Sequence, residues 1–365
     1  MGEKGIMKKN LLLLLIIAFF SVLVLAACGT SNETDNTNGG SGSDAEETEE
    51  NTEETEGEEE EAASDDEVYQ IGATQIVEHP SLDAAYEGFQ DAIADAGLEV
   101  EYDFQSAQND QNNATTIANN FVADGVDLIF ANSTPSAQSA LQATSDIPIL
   151  FTSVTDAVES GLVESLDQPG DNITGVLDLH PDSVTRTVEF IDNYFEGATI
   201  GLVYSAGEAN SVAQIEAVNE AVEGTSLSTT EATVGNSSEV QQATNSLVGD
   251  ADVFFIITDN TVVSALETVV AVAEEQDIPL IVGEPDSVQR GGFATFGIDY
   301  HTIGYRTGEM AVEVLTGDKT TADIPVEVPP SMQLFINKEA AEAQGVEWNE
   351  DWDEDAEFLE TTEEE

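Results

Sequence analysis

Along most of this chain, short apolar runs end in polar residues and lead straight into amphipathic helical patterns. That alternation constrains the fold more than any other feature. Its first instance is IGATQIVEHP, residues 71–80, followed by a helical pattern over 81–96. Strands are then expected over 98–104, 126–131, 147–151, 173–178, 199–204, 227–234, 253–257, 279–282, 294–298, 324–328 and 333–336. Helices are expected between them, over 110–124, 135–144, 183–194, 211–222, 238–248, 261–276 and 301–316. The strands are rich in β-branched residues and almost continuously apolar, so both faces must be covered, as in parallel sheets lying between helices. The fold class is α/β. In open sheets of this kind ligands gather beyond the carboxyl ends of the strands. Gln75, Glu78 and His79 therefore stand where a ligand would be met.

The alternation falls into two similar halves. Both contain a helix introduced by His-Pro (His79-Pro80 and His180-Pro181), and both place Asp-Ile-Pro before a late strand, at 146–148 and 277–279. Two βα lobes of about 110 residues each suit this better than one large sheet.

Composition bears on compartment and partners. Hydrophobic residues make up 41% of the 365, enough for two cores, yet 8 Lys and Arg face 74 Asp and Glu for a formal net charge of −66. Such a chain repels nucleic acid and anionic headgroups, which excludes both as partners held by charge. The acids are spread over nearly every helix, which suits a saline or alkaline medium rather than a dedicated cation site. Lys4, Lys8 and Lys9 precede an apolar run from Leu11 to Leu25, fifteen residues and short for a membrane span. The run closes with Leu25-Ala26-Ala27-Cys28, which resembles the lipobox of bacterial lipoproteins. In that family the thiol is modified with diacylglycerol, so Cys28 would become a lipidated N-terminus; the competing reading is an uncleaved helix with an incidental cysteine. Cys28 is the only cysteine, which excludes an intramolecular disulfide and a structural thiolate metal cluster. Residues 1–28 are thus expected to be a signal peptide, and 29–67 a disordered, acidic tether. A second acidic tail, 347–365, carries Trp348, Trp352 and Phe358; its start is expected to pack on the domain and its final TTEEE to fray.

Several expected strands end in small hydroxyl and amide residues just before a helix. These are Asn132-Ser133-Thr134-Pro135-Ser136, Thr152-Ser153-Val154-Thr155-Asp156, Ser205 to Ser211, Thr258-Asp259-Asn260-Thr261 and Gly283-Glu284-Pro285-Asp286-Ser287. Any one of them reads as a plain helix cap. Five on facing strand ends form a rim of donors with a few acids, as a zwitterion would require, and exposed N–H groups at such turns suit a carboxylate.

The strings TQIVEHPSLDAAYEGF, NSTPSAQSALQ, FTSVTDAVESGLVESLDQPGDNITGV, YSAGEANSVAQ, NSSEVQQATNSLVG, TDNTVVSALE and GIDYHTIGYRTGEMA together resemble the solute-binding lipoproteins of ABC importers. The branch is the TrpX-like one, described as tryptophan- or tyrosine-binding, and the likeness runs from about Val68 to Gly345. The resemblance implies a type I periplasmic-binding-protein fold: two Rossmann-like lobes joined by a three-crossover hinge, closing on a ligand in the cleft. It implies lobe 1 over 68–178 plus 299–328 and lobe 2 over 179–298 plus 329–346. It also implies a permease and its ATPase as partners, no cofactor and no catalysis. Gln75, Thr134, Ser136, Ser153, Asp156, Asp178, Glu208, Asn210, Asn260, Asp286 and Asp299 fall at its strand ends or crossovers, Asp286 just outside the matched strings. On this reading Thr134, Ser136 and Ser153 receive the ligand carboxylate. One or two of Asp178, Glu208, Asp286 and Asp299 neutralise the ammonium, and Asn210 and Asn260 orient the polar edges. Asp299 reads equally well as a crossover hydrogen-bonding residue. Tyr86, Phe151, Tyr204 or Tyr300 would stack on an aromatic side chain, although aromatics at such spacings are commonly core. The departure from the family is in surface charge, where positions that are often Lys hold Glu, Asp, Ala or Thr.

Rival classes have little to stand on. There is no Gly-x-Ser-x-Gly elbow, no cysteine nucleophile beyond Cys28 and no Walker loop. The three histidines, His79, His180 and His301, lie far apart beside a proline or a helix start, so a three-histidine metal site is not expected. A lipid-anchored importer subunit that captures a small amino acid, tryptophan or tyrosine, is the reading carried forward. A sugar- or nucleoside-binding protein, or a ligand sensor, on the same fold is the alternative.

Overall fold

A computed structural model describes residues 68–362. The signal peptide, the tether and Cys28 lie outside the described residues, which belong to one compact unit, Ser64–Glu365. The first sheet is built from β1 (Tyr69–Gln75), β2 (Val100–Ser106), β3 (Leu128–Asn132), β4 (Ile149–Val154) and β5 (Ile173–Leu177), with α1 (Pro80–Asp95), α2 (Gln111–Asp124) and α3 (Thr134–Ala143) as its crossovers. Its order is β2-β1-β3-β4-β5, every pair parallel. Apolar clusters cover both faces, one around Phe121, Ile129 and Phe151 and one around Phe89, Phe130 and Leu150. The two-sided burial is why these strands read as unbroken apolar runs.

The second sheet repeats the design. It contains α4 (Ser183–Tyr194), β6 (Thr199–Ser205), α5 (Ala209–Val222), β7 (Ser228–Val234), α6 (Val240–Leu247), β8 (Val253–Ile256), α7 (Asn260–Val263), α8 (Leu266–Gln276), β9 (Leu280–Val282), α9 (Pro285–Gln289) and β10 (Ala294–Gly297). The order β7-β6-β8-β9-β10 matches the first sheet, and all these pairs are parallel. The chain then returns to the first lobe as α10 (Tyr300–Leu315), which packs on α1, and ends beside β10 with β11 (Gln333–Ile336), α11 (Lys338–Ala343), α12 (Trp352–Asp355) and β12 (Ala356–Phe358). Strand β11 runs antiparallel to β10, and β12 parallel to β11. The α1–α10 contact is close because it is glycine-lined: a Cβ at Gly304 would meet the Ala85 backbone, and one at Gly88 the His301 carbonyl.

Two expectations are corrected and two features were not foreseen. The strand expected over 324–328 is absent; Glu327 makes a single bridge to Val176, because Pro325 and Pro329 remove the donors a ladder needs. The helix expected over 261–276 is two, α7 and α8, broken where Ser264 and Ala265 turn back on Thr261 and Val262. Helix α9 was not foreseen; Glu284 caps it and Pro285 sits in its first turn. The start of the acidic tail packs on the domain as expected, and order extends to Thr361 and Thr362 of the TTEEE expected to fray. Trp352 is buried against Phe190, Phe293 and Tyr194, and the Thr362 N–H donates to the Gln289 carbonyl at 2.9 Å.

Candidate functional site

The carboxyl ends of both sheets face one another across a narrow cleft of about 40 Å³, open in part to solvent. From the first lobe, the cap and first turn of α1 deliver His79 and Ser81, the end of β4 delivers Ser153 and Thr155, and the end of β5 delivers Asp178. From the second, α5 supplies Asn210, the turn after β8 supplies Thr258, Asp259 and Asn260, and the end of β9 supplies Glu284. Tyr300 closes one wall from the first turn of α10.

Three side chains lining the cleft hold a buried polar atom with no partner: Ser153 Oγ, Asp178 Oδ1 and Asn210 Oδ1. Buried polar atoms are nearly always satisfied, so unpaired ones gathered in one cleft point to a polar ligand. Ser153 has φ +55°, a left-handed conformation uncommon outside glycine. Asp178 accepts from the Tyr300 hydroxyl at 3.1 Å, and burial pushes its carboxyl up to about 6. The other Asn210 contact anchors it, Nδ2 donating to the Thr258 carbonyl at 3.1 Å.

The remaining acids have other work. Asp259 is fully buried and accepts from the Ser205 N–H, the Ser211 hydroxyl and the Val262 N–H at 2.6–2.7 Å; burial, then the Glu208 charge, pushes its carboxyl up. Glu208 accepts from the amide and side chain of Asn260 and of Thr261, pinning the start of α7. Asp299 caps α10 through the Thr302 N–H at 3.0 Å. Asp156 caps the turn at Val158 and Glu159, at 2.8 and 2.9 Å. Gln75 is wholly buried and bridges Asp83 to Asn132.

Of the eleven positions singled out in the sequence, the cleft brings together Ser153, Asp178, Asn210 and Asn260. Thr134 and Ser136 are buried at the start of α3 and do not line it; Ser136 bonds with the Ser133 hydroxyl, and Thr134 Oγ1 is unpaired. Asp286 borders the cleft through Ser81. Among the aromatics, Tyr300 lines the cleft. Tyr86 stacks on Phe104, Phe151 is core, and Tyr204 bonds outward to Glu231. Sequence reasoning did not single out Ser81, Thr155, Asp259 or Glu284 as site residues, and placed His79 where a ligand would be met. His79 does line the cleft, and it also caps α1, its Nδ1 accepting from the Ser81 N–H at 3.2 Å. Burial and the adjacent Arg290 lower it to about 4, so its imidazole is neutral at pH 7. The position of Glu284 after β9, just before Pro285, was the available signal.

The lobes touch directly. Ser81 bonds to Glu284 and Asp286 at 2.6 Å each, Arg290 Nη1 lies 3.0 Å from His79 Nε2, Asn109 donates to Thr261 at 3.2 Å, and Gln214 donates to Thr155 at 3.3 Å. Among the described residues no histidine contacts the Ser153 hydroxyl. Among the described residues no cluster of three His, Cys, Asp or Glu side chains is arranged to hold a metal ion.

A family model described as ABC transporter substrate binding protein matches residues 70–357. The chain belongs to that family. Its members are solute-binding proteins of ABC transporters, not enzymes. The chain is 44% identical over 278 residues, 75% of its length and 80% of the relative's, to a tyrosine-binding protein of Clostridioides difficile (strain R20291). Among solved structures it resembles an ABC domain in complex with L-Trp from Streptococcus pneumonia, at 34% identity and a TM-score of 0.76, covering 80% of this chain and 99% of that one. It also resembles the ligand-free, open structure of a Clostridium difficile substrate binding protein with adhesive properties, at 40% identity and a TM-score of 0.61, covering 80% and 100%. The less identical Trp complex superposes better than the more identical open protein. The direct contacts between the lobes close the cleft on the side of Ser81, Asn109 and Thr155.

Proposed function

We propose that this protein captures an aromatic amino acid, tyrosine or tryptophan, between its lobes and delivers it to the permease of an ABC importer. The observation that carries this is the set of unpaired polar atoms in the cleft: a hydroxyl on Ser153, a carboxyl oxygen on Asp178 and an amide oxygen on Asn210. A free amino acid supplies both complements, a carboxylate for the Ser153 hydroxyl and an ammonium group for Asp178 and Asn210. Tyr300, already bonded to Asp178, offers a ring beside that ammonium group. The tyrosine-binding relative and the Trp-bound neighbour support the side-chain class. Lobes 68–178 plus 299–328 and 179–298 plus 329–346 would close about the three crossovers. Cys28, at the end of the signal-like segment, would anchor the chain outside the cell, with 29–67 as tether; loss of lipid labelling in Cys28→Ala tests this.

The direct test is a thermal-shift screen against the twenty amino acids, nucleosides and common sugars. A ligand at a hundred times its Kd adds about 2.7 kcal/mol to the folded state. The midpoint should rise with tyrosine, tryptophan or phenylalanine; a rise with sugars or nucleosides alone overturns the substrate.

A further inference from the structure

One contact between the lobes has a proton count that does not close by itself. Ser81 Oγ, in the first turn of α1, lies 2.6 Å from Glu284 Oε2 and 2.6 Å from Asp286 Oδ2. A hydroxyl carries one hydrogen and so donates to only one of them. The second oxygen pair needs a hydrogen of its own at that separation, and only a carboxyl group can supply it. The Glu284 oxygens are already used as acceptors: Oε1 takes the N–H and hydroxyl of Ser287, and Oε2 takes the Asp286 N–H at 2.7 Å. The Asp286 carboxyl makes no other hydrogen bond among the described residues, so a proton on its Oδ2 has Ser81 Oγ as its acceptor.

We propose that Asp286 enters the closed form as a carboxylic acid, donating to Ser81 Oγ while Ser81 donates to Glu284, so that closing the lobes takes up one proton. The surroundings favour this. From α1, His79 and Asp83 face the clasp; Glu284 stands on the same turn; Arg290 follows α9; and Glu267 reaches in from α8. Asp178 and Tyr300 lie on the other side of Glu284. The one permanent cation, Arg290, is held on Glu267 at 2.6 Å and the Val263 carbonyl at 3.0 Å, with its Nη1 3.0 Å from His79 Nε2. Burial and the Glu284 charge push the Asp286 carboxyl up. When the lobes part, Ser81 leaves, water reaches Asp286 and the proton is released. Ligand capture and proton uptake are then one event, and Asp286 is a positioning residue for closure.

This rests on the reading of the chain as a two-lobe binder, and the test separates the two. Residues 64–365, a compact unit containing both sheets, are titrated with L-tyrosine and L-tryptophan at pH 5.5 by calorimetry in buffers of different ionisation enthalpy. In Asp286→Asn the amide donates to Ser81 without a titrating proton. Protons exchanged at Asp178 are common to both proteins and cancel in the difference, and repeating the comparison in a His79→Gln background removes exchange at the imidazole that faces Asp286. The wild type should take up close to one proton more per ligand than Asp286→Asn, which should still bind. Equal uptake, or a variant that folds but no longer binds, overturns the proposal. Ser81→Ala, which removes the acceptor, should lose the same uptake. Should neither amino acid bind, the substrate reading falls, and small-angle scattering of the ligand-free protein decides the clasp. Contraction at pH 5.5 relative to pH 8.5, lost in Asp286→Asn, supports it, and a radius of gyration indifferent to pH overturns it.

Discussion

Replacing Asp178 with Asn should stabilise the ligand-free protein and weaken ligand binding, two effects of opposite sign from one side chain. Burial holds the Asp178 carboxyl at about 6 against an ordinary 3.8. At about 1.4 kcal/mol for each tenfold change in proton affinity, keeping the anion buried at neutral pH costs about 3 kcal/mol. The asparagine amide is buried in turn, and its oxygen still accepts from Tyr300, so the net gain should be about 1–2 kcal/mol, or roughly 2–4 °C in Tm. The sign follows from linkage: a folded-state pKa raised above the unfolded one makes the anion a cost, fully present above pH 6 and relieved as pH falls toward 3.8. The wild type should therefore gain stability from this group on mild acidification, and the variant should not. Binding moves the other way. Losing one partner of a desolvated charge pair costs about 2–5 kcal/mol, roughly thirtyfold to several thousandfold in Kd. Melting of the ligand-free proteins at pH 7.5 and 5, with calorimetric titration of tyrosine and tryptophan, reads both. A variant that melts lower than the wild type, or binds as well, refutes the assignment of Asp178 as the ammonium partner.

In Asp286→Asn, amino-acid affinity should fall as pH drops below 6, by up to about tenfold per pH unit, as Asp178 takes its proton; a flat profile speaks against that pairing. Trp352→Ala should lower unfolding free energy by about 3–5 kcal/mol in chemical denaturation, because the indole fills the core between Phe190 and Phe293. Gly304→Ala should cost about 1–3 kcal/mol or more by forcing α10 off α1, read as a lower denaturation midpoint with an unchanged slope. With a net charge of −66, Tm should rise from low to molar NaCl, and a midpoint indifferent to salt would count against self-repulsion as a limit on stability.

The repeating fold was legible because parallel strands buried on both faces leave an apolar run that composition cannot hide. Helix 183–194 and strand 333–336 were read with the bounds the structure has. The errors fall where local chemistry overrides pattern. Residues 324–328 look like a strand until the prolines are counted, and 261–276 look like one helix until Ser264 turns back on Thr261. The site was legible as a set of strand ends and illegible as a set of contacts. Asp299 and Asp156 have the same side-chain chemistry and loop setting as Asp178, but their oxygens are taken by local N–H groups, and those of Glu208 by Asn260 and Thr261 of a distant turn. Whether an acid at a strand end caps its own helix or keeps an oxygen free depends on a neighbour distant in sequence. For Asp178 that neighbour is Tyr300, which takes one oxygen and leaves the other.

The acidity of the chain and the chemistry of the cleft bear on each other at closure. All five basic side chains of the described residues lie within 4 Å of a carboxylate, and Arg290 alone among them also reaches across to the other lobe, at His79. Bringing two acidic lobes together therefore meets like charge on both sides with little fixed cation to offset it. The contacts observed across the cleft answer this by avoiding net charge: amide to hydroxyl at Asn109–Thr261 and Gln214–Thr155, a neutral imidazole at His79, and at Ser81 two carboxyl groups that need a proton between them. A salt bridge at Ser81 would have required a cation that this sequence scarcely contains. A hydroxyl shared by two acids closes the lobes with a proton in its place, and it can be returned to solvent when the ligand leaves.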